Sequence, residues 1–232
     1  MTYRINMDEI DSAGAVGEAA AAVEGDTRLS FLRKAGLGAG ALVGGGTVLS
    51  ALAPSAFAQA KIGRPPASFG RGDVGILNYA LTLEYLEAAF YNGATAANMS
   101  LDAQTAAFLK VVTADENAHV AYLKTALGSK AVKQPTFNFK GTNTNPAMFK
   151  ATAEVLENTG VHAYLGQVLN IESPKIVAAA GSIVTIEARH AGVIGLINDP
   201  TGAMITPNGA FDTPYAAEKV LAAVKATGFI VS

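Results

Sequence analysis

Apolar and polar positions along the chain fall into four long stretches whose spacing predicts helices, and almost nothing alternates in the manner of a strand. The first, over residues 73–93, contains LNYALTLEYLEAAFY, rich in Leu, Ala and Glu without internal Gly or Pro, and Asp73 stands where a cap is needed. Ser100 is placed to cap a second, LDAQTAAFLKVVTADENAHVAYLKTAL, which Gly128 ends. A polar, Thr/Asn-rich connection over residues 129–145 follows, long enough to run the length of a bundle. Asn145-Pro146 opens a third helix and Ser173-Pro174 a fourth, each with Pro at the first helical position, and the fourth closes at Asn198-Asp199-Pro200. Thr213-Pro214 starts a short fifth, YAAEKVLAAVKA, and only residues 136–139 read as extended. At 1.5 Å per residue the four long helices each reach roughly 30 to 40 Å. Burying them predicts an all-α four-helix bundle with a long crossover between helices two and three and the fifth helix outside or across one end.

The first sixty residues break this pattern. Of the 24 glycines in the 232-residue chain, six fall between Gly36 and Gly46, a density that no packed helix tolerates. Before them lies Thr27-Arg28-Leu29-Ser30-Phe31-Leu32-Arg33-Lys34, and after them the small-residue patterns Ala56-Phe57-Ala58 and Ala58-Gln59-Ala60. A basic segment, a weakly apolar stretch and a small-residue cut site together read as an export signal. The segment resembles a twin-arginine signal peptide, with Arg28 present, Leu29 in place of the second arginine, and Phe31-Leu32 and Arg33-Lys34 where that family has them. Twin-arginine and general secretion both stay open. The glycines and Pro54 make the segment a poor membrane anchor. The expected organisation is therefore a leader over 1–60, an extended linker over 61–72 and one domain over 73–232. That domain is expected in the periplasm or cell envelope, without a stable membrane span after processing, and an oligomer is left open.

Composition narrows the chemistry. The net charge of −2 belongs to the leader, since residues 61–232 hold 13 basic and 13 acidic side chains. A neutral domain without a basic patch argues against nucleic acid. The absence of Cys excludes disulfides, thiolate nucleophiles and iron–sulfur clusters, so a metal must be held by His and carboxylate.

Two motifs have that ligand chemistry. Glu116-Asn117-Ala118-His119 lies in the middle of the second helix and Glu187-Ala188-Arg189-His190 in the middle of the fourth. Residues three apart share a helix face, so each motif aims one carboxylate and one imidazole the same way. With 11 Glu and 3 His in the chain, chance supplies about 0.14 Glu-x-x-His matches, so two at midhelix are a signal. The other two helices each carry a Glu followed seven residues later by a Tyr, Glu84 with Tyr91 and Glu157 with Tyr164. The chain thus reads Glu-x6-Tyr-x24-Glu-x2-His and then Glu-x6-Tyr-x22-Glu-x2-His, a duplicated half-site. Two divalent cations close together in a bundle need about four carboxylates for neutrality, and one His for each adds a directional nitrogen ligand suited to iron or manganese.

With LNYALTLEYLEAAFY, DENAHVAYL, NTGVHAYLG and TIEARHA, the domain resembles the ferritin-like di-metal carboxylate superfamily, in particular the desiccation-related ferritin-like proteins of bacteria and plants. The resemblance covers about residues 73–198 and the tail at 211–231. It implies a centre of two iron or two manganese ions held by Glu84, Glu116, His119, Glu157, Glu187 and His190, with Tyr91 and Tyr164 hydrogen-bonded to ligand carboxylates across the bundle. It further implies reaction with dioxygen or hydrogen peroxide under oxidative or drying stress. The alternative is a non-enzymatic protein that binds metal and protects the envelope. An iron-storing cage is disfavoured, because 13 acids are too few for acidic walls and channels.

Other candidates have blander readings. Glu87 and Glu154 lack counterparts in the repeat, where Gly160 and Leu81 stand, and are expected at a face edge or in salt bridges. His162 matches no repeat position and reads as a satisfied or solvent-edge histidine. Arg189 is expected to make ion pairs on the flank of its helix.

Overall fold

A computed structural model describes residues 63–231, and the first α-helix among them starts at Gly72. The leader, its arginine motif and its cleavage patterns lie outside these residues. Among the described residues five α-helices form: α1 (Gly72–Ala96), α2 (Ala103–Leu127), α3 (Pro146–Gln167), α4 (Pro174–Asn198) and α5 (Ala217–Thr227). The stretch before α1 is not wholly extended, since Ala67–Phe69 make a 3-10 turn. Short connections make antiparallel neighbours, so α1 packs along α2 and α3 along α4. The two hairpins meet through α1 with α3 and α2 with α4, and α5 lies against α3. The helix α1, apolar nearly all round, buries 16 of its 25 residues, as a helix with no polar face must. Among the described residues one helix, α4, is long and apolar enough to cross a membrane by length and composition. Its Glu187 and His190 are buried within the bundle.

The expected helix starts are partly corrected. Asn145 caps α3 as expected, accepting from the N–H groups of Ala147 and Met148 at 3.1 and 3.0 Å. For α2 the cap is Asp102 rather than Ser100, its carboxylate accepting from the Thr105 N–H at 2.9 Å and the Thr105 hydroxyl at 2.7 Å. Asp73 does not cap its own helix. It reaches across the bundle and accepts from the N–H groups of Glu172 and Ser173, at 2.8 and 2.9 Å, where α4 begins. The fifth helix starts at Ala217, later than Thr213-Pro214, because the preceding segment is pinned extended along α3. There Tyr215 donates its N–H to the His162 carbonyl at 3.0 Å, and a Cβ on Gly166 would collide with the Tyr215 carbonyl.

The crossover is anchored at both ends of its path. Buried Asn78 donates to the carbonyls of Phe69 and Lys130 and accepts from the Val132 N–H. Residues 136–139 are extended as expected, with Phe137 bridged to Ile230 in the C-terminal segment. Phe90 stacks on Phe149 at 5.6 Å and meets Phe139 edge-on at 5.4 Å, and Phe139 meets Phe229 at 5.3 Å. Crossover and C-terminus thereby close the core beside Tyr91, whose ring abuts both Phe90 and Phe149.

Candidate metal centre

Midway along the bundle the four long helices each turn one buried Glu inward: Glu84 from α1, Glu116 from α2, Glu157 from α3 and Glu187 from α4, all fully buried. One turn after Glu116 and Glu187 on the same faces come His119 and His190. His119 Nδ1 lies 3.3 Å from Glu84 Oε2, 3.4 Å from Glu116 Oε2 and 3.1 Å from Glu187 Oε1. His190 Nδ1 lies 3.2 Å from both Glu116 Oε1 and Glu157 Oε2. Glu116 therefore offers one oxygen to each histidine. Ligand atoms of Glu84, Glu116, His119 and Glu187 fall within 4.8 Å of one another, and so do those of Glu116, Glu157, Glu187 and His190. Two cation-sized groups of donors share Glu116 and Glu187.

The tyrosines cross the bundle. Tyr91 of α1 donates to Glu157 of α3, and Tyr164 of α3 donates to Glu84 of α1. Burial, and then the Glu157 or Glu84 carboxylate, raise both phenols well above the ordinary range, which keeps them protonated and donating. Each fixes one oxygen of its carboxylate and leaves the other facing the centre.

Those remaining atoms decide whether cations fit. Among the described residues Glu84 Oε2, Glu116 Oε1, Glu157 Oε2, both oxygens of Glu187 and His190 Nδ1 are buried without a hydrogen bond. Folded proteins satisfy more than about 90% of such atoms, and isolated buried charges cost several kcal/mol each. Six orphans converging between four helices have the chemistry of a metal site. The donors, hard oxygens with a few imidazoles, suit iron or manganese alike. Burial, then Glu116 and Glu84, raise Glu187 well above the usual carboxylate range. Burial pushes Glu116 up to about 7 against the pull of both histidines. Burial alone would lower the histidines, but the carboxylates facing them push His119 up to about 12 and His190 to about 11.

The model of the ferritin-like domain family matches residues 72–198, more than half of the chain. The chain belongs to this ferritin-like family. Among curated proteins none matches it. The ferritin-like domain brings all six sequence-derived ligand candidates and both tyrosines into one place.

The other candidates divide. His162 of the ferritin-like domain is satisfied, with Nδ1 donating to the Thr213 carbonyl and the ring stacked on Tyr215 at 4.1 Å. Glu154 lies outside the centre, accepting from Asn198 Nδ2 at 2.6 Å. Arg189 corrects its expectation: exposed, it donates to the Thr185 carbonyl within α4 and, among the described residues, makes no ion pair. Glu87 corrects its expectation as well. It lies at no face edge and, among the described residues, makes no salt bridge, being 3% exposed beside the centre. Burial, followed by Glu187, Glu116, Glu157 and Glu84, holds its carboxyl well above the usual range. Asp115 is a residue that the spacing did not single out. Its Oδ2 lies 3.1 Å from His190 Nε2.

Proposed function

We propose that this ferritin-like protein is an exported di-iron or di-manganese oxidoreductase acting on dioxygen or hydrogen peroxide in oxidative or drying stress. Glu84, Glu116, His119 and Glu187 would hold one ion, and Glu116, Glu157, Glu187 and His190 the other. The observation that carries the reading is the convergence of fully buried carboxylates from four helices on two histidines, with oxygens that make no hydrogen bond. Bound there, a redox-active pair would supply electrons to the oxidant or accept them from it. The chain's own contribution is positional. Tyr91 and Tyr164 clamp one oxygen each of Glu157 and Glu84. Asp115 accepts a hydrogen bond from His190 Nε2–H, which orients the ring with Nδ1 toward the centre. Burial of all four carboxylates keeps bulk water out and strengthens each electrostatic contact. Export is supported by the sequence of the leader alone.

Elemental analysis of the full chain purified from its native envelope tests the reading, followed by oxidant consumption with the metal found and mass measurement of the mature N-terminus. About two iron or manganese ions per chain are expected, with steady consumption of hydrogen peroxide, which both takes and gives electrons, or of dioxygen once an electron donor is added. Metal bound without consumption of either oxidant would assign the alternative, a non-enzymatic envelope-protective role.

A further inference from the structure

Glu87 belongs to neither group of donors described above, yet it is placed like one. It follows Glu84 by one turn of α1, on the same face, and is 3% exposed. Among the described residues it makes no hydrogen bond or ion pair. A glycine of α3 faces it. A Cβ on Gly160 of α3 would stand 3.4 Å from Glu87 Oε1 and 3.4 Å from Glu187 Oε2, so both oxygens occupy the space over that glycine. Gly160 is one turn beyond Glu157 on α3, and the Glu187 oxygen turned toward it is the one that does not face His119. Glu87 thus reaches past its own neighbour Glu84 toward the group formed by Glu116, Glu157, Glu187 and His190. In the duplicated half-site Gly160 is also the counterpart of Glu87.

We propose that Glu87 is a fifth carboxylate ligand of the centre, serving only the ion held by Glu116, Glu157, Glu187 and His190. The inference rests on the di-metal reading. Five carboxylates exceed the charge of two divalent ions by one, so the ion beside Glu87 sits in the more negative pocket and the two positions are chemically unequal.

Titration of the full chain with Mn(II), followed by calorimetry and electron paramagnetic resonance, tests this. Wild type is expected to bind two ions with distinct affinities. Glu87→Gln, which keeps the shape, should weaken one of them by about tenfold or more and change the resonance signal while leaving the other within about twofold. Glu154→Gln, outside the centre, should leave both unchanged. Two ions bound by Glu87→Gln with wild-type affinities and signal would overturn the proposal and leave the di-metal reading standing. Failure of the wild type to bind manganese or iron at all would overturn both.

Discussion

Tyr91 and Tyr164 have one hydroxyl each to give, and each gives it to a carboxylate on another helix. Replacing either by Phe leaves the ring packing and removes the clamp, so metal affinity should fall about 10- to 100-fold with the fold intact, read by calorimetry and circular dichroism. The titrating groups make a second prediction, about pH. Glu116, Glu187, His119 and His190 all bind their protons more tightly in the folded, metal-free chain than in the unfolded one. Each therefore stabilises the metal-free fold below its unfolded value, and that contribution is lost as pH rises through its folded value. Stability in chelator should decline as pH climbs above the ordinary carboxylate range. Metal affinity should run the other way and weaken below about pH 7, where Glu116 takes up its proton. Thermal melts with chelator and with Mn(II) across this range check both slopes. At this scale the sequence exposed the six donors because duplication and three-residue spacing leave a visible trace. The same duplication concealed Glu87, since its counterpart in the other half is a glycine. Asp115 was invisible for another reason: its contact with His190 joins residues 75 positions apart on different helices, and no local spacing records it.

Element ends show the same division. Asn145-Pro146 and Ser173-Pro174 were readable because Pro at the first helical position marks a start by itself. Ser100 and Asp102 are both capping residue types two positions apart, and only the reach of the Asp102 carboxylate to Thr105 separates them. Asp73 is the instructive case, since its carboxylate holds the N–H groups of Glu172 and Ser173, the two residues that lead into α4 about 100 positions away. Asn145→Ala should cost about 1 kcal/mol, as the loss of a helix cap does, and Asp73→Ala about 1 kcal/mol or more through its lost hydrogen bonds. Denaturant unfolding of the metal-free protein measures each. If Asp73→Ala were neutral while Asn145→Ala was not, the cross-bundle contact would carry no energy.

For the whole molecule the bundle was legible and the manner of its closure was not. Helix lengths and the long connection specified four helices with a crossover, but the plug of Phe90, Phe139, Phe149 and Phe229 draws on α1, the crossover, α3 and the C-terminus together. Phe90→Ala should cost about 3 to 5 kcal/mol, because it leaves a cavity where four segments meet, and equilibrium unfolding in chelator reads it. Metal loading should stabilise by about 2.7 kcal/mol for each ion at a free concentration a hundred times its dissociation constant, growing with the logarithm of concentration and seen as a higher melting temperature.

The crosswise tyrosines have a consequence in time. The α1–α2 and α3–α4 hairpins are built from neighbours in sequence, but every clamped carboxylate takes its hydroxyl from the opposite hairpin. Local hairpins form early, and their docking, which brings four acids face to face, comes late and against repulsion. Cations present at that moment lower the barrier, so refolding should speed up with metal ion concentration while hairpin formation stays indifferent to it.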